Sequence, residues 1–259
     1  MRLTLLGTGN AAGMPLYGCD CSRCTLARAD AALARTPCSG LLQVGNRQYL
    51  IDAGQLHLGE RFPPGSLHGI FLTHFHPDHV QGLFHLRWGK APRLPVFSPP
   101  DTEGCADLYK HPGMLNFRSL RKFEAFSLDD LRITPLPLIH SKPTFGYLFE
   151  HADSRIAYLT DTKGLPPKTE ALLREVGLDL MVIDCSFAPG ADKRGHNNLD
   201  EALAIHAAVK PKRTVLTHIG HDLDIWLSEH SHKLPPDVLA GHDRMLAFEE
   251  GACLTTRTC

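Results

Sequence analysis

The sequence has no excess of charge of either sign and no long apolar segment. Its 27 lysines and arginines are balanced by 28 aspartates and glutamates, which gives a formal net charge of −1. A chain without a basic tail or a Lys/Arg block is not suited to hold an extended nucleic acid by many phosphate contacts. No apolar run approaches the ~20 residues that a membrane helix needs, so we also expect no membrane partner.

The N-terminus and the composition are those of an ordinary globular protein. Residues 1–7 lead directly into a predicted strand and a glycine turn, without the apolar region and cleavage site of a signal peptide. The 259 residues are 43% hydrophobic and 21% charged, which is typical of globular domains. No Gly/Ser-rich or Pro-rich linker divides the chain, so we predict a single domain over residues 1–259. We expect a cytoplasmic protein with reduced thiols.

Apolar periodicity and turn residues predict alternating strands and helices, as in an α/β fold. Besides the strands discussed below, we expect strands at residues 3–6, 40–44, 48–52, 95–98, 145–150 and 180–185. We expect helices at residues 22–32, 102–109, 167–176 and 199–209. Asp101 is the predicted cap of the second of these helices, because its side chain can accept a hydrogen bond from the first turn.

A dense group of histidines with one aspartate follows an apolar run. Residues 69–72 predict a short buried strand, and residues 73–79 then read Thr-His-Phe-His-Pro-Asp-His. His74, His76, Asp78 and His79 therefore leave one strand end and can face one cavity. Crowding four metal-seeking groups there is costly unless a cation shares them, so the motif favours a metal site over a solvated loop.

Three later segments repeat this pattern of an apolar strand with a ligand-type residue at its end. The predicted strands at residues 131–138, 155–160 and 213–217 are followed by His140, Asp161 and His218. Ligands collect at strand ends in layered α/β folds, so these side chains can join the first group. Each is a weak signal alone, because such residues are often structural or turn residues. As an ordered set they predict one site.

The set resembles the five metal-binding motifs of the metallo-β-lactamase superfamily, and Asp52-x-Gly54 matches the turn that precedes them there. The resemblance implies a four-layer αββα sandwich with two metal ions at one edge of the sheets. It implies that one ion is held by His74, His76 and His140, that the second is held by Asp78, His79 and His218, and that Asp161 bridges them.

The ligand types are consistent with a hydrolytic centre. Imidazole and carboxylate without thiolate suit zinc, manganese or iron and do not choose among them. We expect two divalent ions, manganese first and zinc as the alternative. Two ions ~3.5–4 Å apart clamp a phosphoryl or acyl oxygen and generate a nucleophile near neutral pH. Asp78, a ligand first, is also placed to orient the attacking water.

A second cluster consists of three cysteines, Cys19, Cys21 and Cys24, in the pattern C-x-C-x-x-C. A closed tetrahedral zinc site needs a fourth ligand, and His221, three residues after His218, is the best candidate. A disulfide or free thiols are the alternatives, but clustered cysteines in an intracellular chain are typical of metal sites. We therefore predict a zinc-binding loop at residues 18–25 that holds one structural zinc ion.

His196 lies in a polar loop just before the predicted helix at residues 199–209. Attack of a hydroxide on phosphorus needs a proton donor for the departing alkoxide, and histidine is the usual donor near neutral pH. From the residue alone, a surface histidine is the simpler interpretation. Lys142 and Arg194 are candidates for phosphate contacts, although surface charge is the simpler interpretation of both.

Within the superfamily, the chain resembles the phosphodiesterases of the carbon–phosphorus lyase pathway for phosphonate use. The resemblance spans nearly the full length, including the cysteine loop and residues 38–40, 79–84, 86–89, 136–138, 140–142, 144–147 and 217–219. It implies hydrolysis of 5-phosphoribosyl 1,2-cyclic phosphate to ribose 1,5-bisphosphate, with His196 as general acid. It also implies that His221 is the fourth zinc ligand and that the protein is a homodimer.

Two alternatives stay open. The first is a tRNA-processing endonuclease of the same superfamily, although residues 92–121 contain no basic arm of the kind that grips tRNA. The second is a non-catalytic zinc scaffold, which the complete set of seven ligand-type residues disfavours. A small phosphorylated sugar is therefore the expected binding partner.

Overall fold

The computed structural model describes residues 1–191 and 194–251 and contains two seven-stranded sheets. The strands are β1 Arg2–Gly7, β2 Ser39–Val44, β3 Arg47–Ile51, β4 Gly69–Phe71, β5 Leu94–Ser98, β6 Leu115–Ser119, β7 Phe126–Leu128, β8 Leu131–Pro137, β9 Phe145–His151, β10 Ser154–Leu159, β11 Leu180–Asp184, β12 Thr214–Thr217, β13 Val238–Ala240 and β14 Leu246–Glu249. The helices are α1 Ser22–Ala29, α2 Leu58–Arg61, α3 Pro77–Val80, α4 Leu83–Leu86, α5 Ala106–Lys110, α6 Pro167–Val176, α7 Leu199–Val209 and α8 His221–His230. The first sheet has the order β14-β1-β2-β3-β4-β5-β6, and the second has the order β13-β12-β11-β10-β9-β8-β7.

In each sheet, the strands that lead to the predicted ligands run in the same direction. β3 and β4 pair in parallel in the first sheet, and β10, β11 and β12 pair in parallel in the second. β8 joins them in direction, because β8 and β10 both pair antiparallel with the intervening β9. The carboxyl ends of these strands therefore lie at one edge of their sheet, where ligand-binding side chains collect in layered folds.

Three apolar clusters hold the layers together. Between the sheets, the ring of Phe71 packs against that of Tyr147 with centroids 5.4 Å apart. The outer face of the second sheet packs against α6, α7 and α8 through residues such as Leu223. The outer face of the first sheet packs against α2 to α5 through residues such as Leu108. Helices thus cover both outer faces, and the predicted four-layer αββα sandwich is confirmed.

The helices depart from the sequence prediction in several places, and the helix predicted at residues 22–32 ends at Ala29. The helix predicted at residues 102–109 begins only at Ala106, because the Asp101 side chain accepts hydrogen bonds from the backbone N–H groups of Glu103 and Gly104 and forms a turn there. The helix α8, which starts at His221, was not predicted. Within the described residues, no helix combines the length and apolarity needed to cross a bilayer.

Candidate metal centre

The two sheets deliver the seven predicted ligand residues to one place. The first sheet contributes His74, His76, Asp78 and His79 from the segment between β4 and the end of α3, and the second contributes His140, Asp161 and His218 after β8, β10 and β12. Asp161 and His218 have left-handed backbones, with φ of 64° and 58°, so the chain turns sharply directly after each strand. Such positions cost about 1–3 kcal/mol each and persist mainly at functional sites.

The first group of ligand atoms comprises nitrogens of His74, His76 and His140 and a carboxylate oxygen of Asp161, all within 4.8 Å of one another. The Nε2 atoms of His74 and His140 lie 3.6 Å and 3.8 Å from Asp161 Oδ2. Two atoms that each lie about 2.1 Å from one tetrahedral ion are about 3.4 Å apart. The observed separations therefore suit a single ion held between these side chains.

The second group comprises Asp78, His79 and His218, again with one ligand atom each within 4.8 Å of the others. Asp161 faces this group too, because its Oδ1 lies 3.4 Å from His79 Nε2 and its Oδ2 lies 3.4 Å from His218 Nε2. The Nε2 atoms of His79 and His218 are buried and have no hydrogen-bond partner among the residues that the structure describes. Buried nitrogens of this kind are costly unless they bind something, and a cation between them and Asp78 meets that need.

Hydrogen bonds to the far ring nitrogens fix the orientation of three imidazoles. His79 Nδ1 donates to the buried Asp52 carboxylate at 2.8 Å, and His140 Nδ1 donates to the carbonyl oxygen of Gly195 at 3.1 Å. His218 Nδ1 lies 2.9 Å from Ser186 Oγ. Each contact leaves Nε2 pointing into the cluster, which is how metal-ligating histidines are usually held.

The electrostatics of the cluster favour positive charge at its centre. Burial alone would raise the pKa of Asp161, but the neighbouring His218 and His79 outweigh it and hold that pKa well below its usual value. Burial would lower the pKa of His79, but Asp161 and Asp52 outweigh it and raise that pKa well above the usual value. Burial holds the pKa of His74 well below the usual value, which keeps a neutral, metal-binding imidazole. A divalent cation suits this arrangement.

His196 joins the site on the face that the second sheet provides. Its ring stacks on that of His218 with centroids 4.7 Å apart, and its Nδ1 donates to the Asp184 carboxylate at 2.7 Å. Asp184 is fully buried and ends β11. Asp184 lies within the strand predicted at residues 180–185, and its role was not predicted, although a carboxylate at a strand end is the pattern that identified Asp161.

The cavity beside the cluster has a volume of about 720 Å³ and lies within the range of small-molecule sites. It is lined by Ala11, His76, Asp78, Ile139, His140, Ser141, Asp161, Lys163, Arg194, Gly195, His196 and His218. Of the two predicted phosphate partners, Arg194 lines this cavity. Lys142 instead lies 3.6 Å from the Asp101 carboxylate and lines a different cavity, while Lys163 was not predicted.

The three cysteines of the predicted zinc loop meet His221 at the start of α8. The Sγ atoms of Cys19 and Cys21 lie 3.5 Å and 3.3 Å from His221 Nε2, and Cys24 completes a group within 4.8 Å. Sulfur and nitrogen atoms on one tetrahedral zinc ion are about 3.6 Å apart. The Cys24 backbone N–H and the His221 side chain lower the pKa of Cys21 to about 6, which favours the thiolate that zinc binds.

A family model described as the Beta-lactamase superfamily domain matches residues 47–219. The chain belongs to this superfamily. Coenzyme PQQ synthesis protein B of Methylobacterium radiotolerans is 31% identical over 85% of this chain and 90% of that protein. A solved diphosphatase from the PhnP family has 29% identity and a TM-score of 0.80, covering 95% of this chain and 96% of that one. The expected superfamily and its sandwich fold are therefore confirmed.

Two further relatives are longer than this chain. An octanoyltransferase of Porphyromonas gingivalis is 27% identical over 96% of this chain but only 51% of that protein. The mitochondrial ribonuclease Z 2 of Schizosaccharomyces pombe is 25% identical over 66% of this chain and 27% of that protein. The chain thus spans about half of the first relative and about a quarter of the second. As a superfamily member, it has the metallo-β-lactamase fold.

Proposed function

We propose that the protein is a metal-dependent phosphodiesterase that hydrolyses the small cyclic ester 5-phosphoribosyl 1,2-cyclic phosphate to ribose 1,5-bisphosphate. The observation that carries the proposal is the single cavity in which two groups of metal-type ligands face a histidine held by a buried carboxylate. Similarity to a diphosphatase from the PhnP family supports chemistry at phosphorus. The substrate itself comes from the sequence resemblance described above.

The residues of the cluster fit two divalent ions, manganese by expectation and zinc as the alternative. His74, His76 and His140 would hold one ion, Asp78, His79 and His218 would hold the other, and Asp161 would contact both. Such a pair of ions supplies Lewis acidity and lowers the pKa of bound water. Cys19, Cys21, Cys24 and His221 would hold a separate structural zinc ion, which joins the N-terminal loop to α8.

The proton inventory assigns His196 the role of general acid. A water molecule first releases one proton to solvent, and attack of the resulting hydroxide oxygen on phosphorus forms one P–O bond while the ring P–O bond to the sugar 2-oxygen breaks. The departing oxygen takes a proton from His196 Nε2, since Nδ1 is committed to Asp184. Asp184 thereby fixes the tautomer and the orientation of the ring, and we expect the Asp78 carboxylate to orient the attacking oxygen.

Metal analysis combined with a hydrolysis panel tests the proposal. The panel contains ribose 1,2-cyclic phosphate with and without a 5-phosphate, a nucleoside 2′,3′-cyclic phosphate, a diphosphate ester, a lactone and a tRNA precursor. We expect fastest turnover of the 5-phosphorylated cyclic sugar by protein that carries two ions beyond the zinc. Turnover of the lactone or the diphosphate ester alone would contradict the proposal.

The panel also separates the remaining candidates. The ribonuclease Z relative favours a tRNA-processing endonuclease as the second candidate, and accurate cleavage of the tRNA precursor would select it. No turnover of any ester by fully metal-loaded protein would select a non-catalytic zinc scaffold. A homodimer is part of the proposal, and light scattering of the purified protein gives the mass that tests it.

A further inference from the structure

Two cations line the candidate active-site cavity without taking part in either group of metal-type ligands. Lys163 follows Asp161 by two residues, and Arg194 precedes His196 by two residues. Both therefore line the same side of the cavity as Asp161 and the proposed acid, His196. The proposed reaction at phosphorus uses the two ligand groups and His196. It assigns no role to Lys163 or Arg194.

Lys163 is held in position by neighbours that do not belong to the ligand groups. Its Nζ contacts the Glu201 carboxylate at 2.7 Å and 2.9 Å, and its backbone N–H donates to the carbonyl oxygen of Ile139 at 3.0 Å. Glu201 is fixed in turn by a reciprocal capping box with Asn198 at the start of α7. An ammonium group anchored in this way loses little side-chain entropy when it binds an anion.

Arg194 supplies the second cation from the loop before α7. Its neighbour Gly195 has φ of 86°, and the Gly195 carbonyl accepts the hydrogen bond of His140, so this loop is tied to the ligand cluster. A guanidinium presents a planar fork that matches two oxygens of one phosphate. The Lys163 ammonium and the Arg194 guanidinium can therefore bind different oxygens of one terminal phosphate group.

Lys163, Arg194 and Glu201 together leave one net positive charge beside the cavity. This charge attracts an anionic group of the substrate in addition to the scissile diester. Ile139, whose side chain is 46% exposed, gives the cavity an apolar surface. A suitable substrate has a cyclic phosphate that faces the ligand groups, a sugar that lies against Ile139 and a free phosphate that reaches the two cations.

We propose that Lys163 and Arg194 form an anion subsite that binds the terminal 5-phosphate of the substrate and selects phosphorylated sugars over nucleoside cyclic phosphates. The inference rests on the proposed function, because it places a second phosphate on the substrate of the same site. It adds two specificity-determining residues that touch neither the scissile phosphate nor the ions.

The test compares ribose 1,2-cyclic phosphate with and without its 5-phosphate. In the wild type we expect a higher kcat/KM for the 5-phosphorylated sugar. Lys163→Met and Arg194→Met should each reduce that preference about tenfold, equal to about 1.4 kcal/mol, mainly through KM. Isothermal titration with ribose 5-phosphate, which contains no scissile bond, should show Kd rising by a similar factor in each variant.

Two matched variants control for the loss of a positive charge. Lys212 is 80% exposed and pairs with Asp179 at 2.7 Å, and Arg132 is 62% exposed and pairs with Glu150 at 3.4 Å. Neither lines the cavity, so Lys212→Met and Arg132→Met should keep the wild-type preference. Metal content measured by mass spectrometry should match in all five proteins.

Two results would overturn the subsite. One is an unchanged preference in both cavity variants, and the other is an equal loss on both sugars, which indicates a structural effect. If the wild type hydrolyses neither sugar, the proposed function fails, and the titration still decides the subsite. In that case, equal affinity of wild type and variants for ribose 5-phosphate overturns the subsite, whereas the tenfold difference supports it.

Discussion

Replacement of Asp184 by asparagine tests how much the negative charge beside His196, the proposed acid, contributes to turnover. Asp184 Oδ2 accepts from His196 Nδ1 at 2.7 Å and from the Thr162 backbone N–H at 2.8 Å, and Oδ1 accepts from Ser186 Oγ at 3.0 Å. An asparagine keeps an acceptor toward His196 and Thr162 and turns its amide toward Ser186, whose hydroxyl can accept. The substitution should therefore preserve the geometry and remove only the charge.

The expected magnitude follows from that lost charge. Hydrogen bonds to charged groups contribute about 1.5–3 kcal/mol and neutral ones about 0.5–1.5 kcal/mol. Loss of the difference, about 1–1.5 kcal/mol, should lower turnover about tenfold for a substrate with a poor alkoxide leaving group. A nitrophenolate leaving group needs little protonation, so its turnover should fall less than about threefold.

A double-mutant cycle with His196→Ala provides the assay. His196→Ala should lower turnover on the alkoxide substrate by about 10² or more, and the second substitution, Asp184→Asn, should add little once the imidazole is absent. Asp179→Asn is the matched control, because Asp179 also accepts a backbone N–H, that of Arg155, at 2.8 Å but does not line the cavity. Losses that multiply fully in the double variant, or that are equal for both leaving groups, would refute the assignment.

Three further predictions concern the two metal sites. His76→Ala should lose active-site metal and turnover together, and wild-type turnover in that variant would contradict the ligand assignment. Cys21→Ser should lose one zinc ion and lower Tm by about 5–10 °C, because a zinc ion bound there would act as a cross-link worth about 2–4 kcal/mol. Unchanged zinc content and Tm in that variant would contradict the site. A large loss of turnover per folded molecule with little change in Tm would contradict its structural role. In zinc-free protein, alkylation of Cys21 should be half-maximal near pH 6, because its pKa is lowered to about 6, and a midpoint near pH 9 would contradict the lowered pKa.

The architecture and the positions of the clustered side chains could be predicted because their signals are local. An apolar run predicts a strand, and the first residues after it lie at the sheet edge, as with His74, Asp161 and His218. The C-x-C-x-x-C pattern is likewise local, because Cys21 caps α1 and accepts a hydrogen bond from the Cys24 N–H. Such patterns depend little on the rest of the fold.

The features that escaped prediction depend on contacts between distant segments. Asp184 and His196 are separated by twelve positions, and Lys163 meets Glu201 across 38 positions, so neither pair leaves a periodic signal. The start of α5 was misplaced because the Asp101 side chain stabilises a turn rather than a helix cap. In each case, the local sequence pattern does not indicate which partner the side chain binds.

The most direct measurement is anomalous diffraction from crystals of the manganese-loaded protein, collected at the manganese and zinc absorption edges. We expect two manganese peaks about 3.5–4 Å apart, one on each side of Asp161, and one zinc peak among Cys19, Cys21, Cys24 and His221. A single ion in the histidine cluster, or two ions with Asp161 bound to neither, would contradict the central claim.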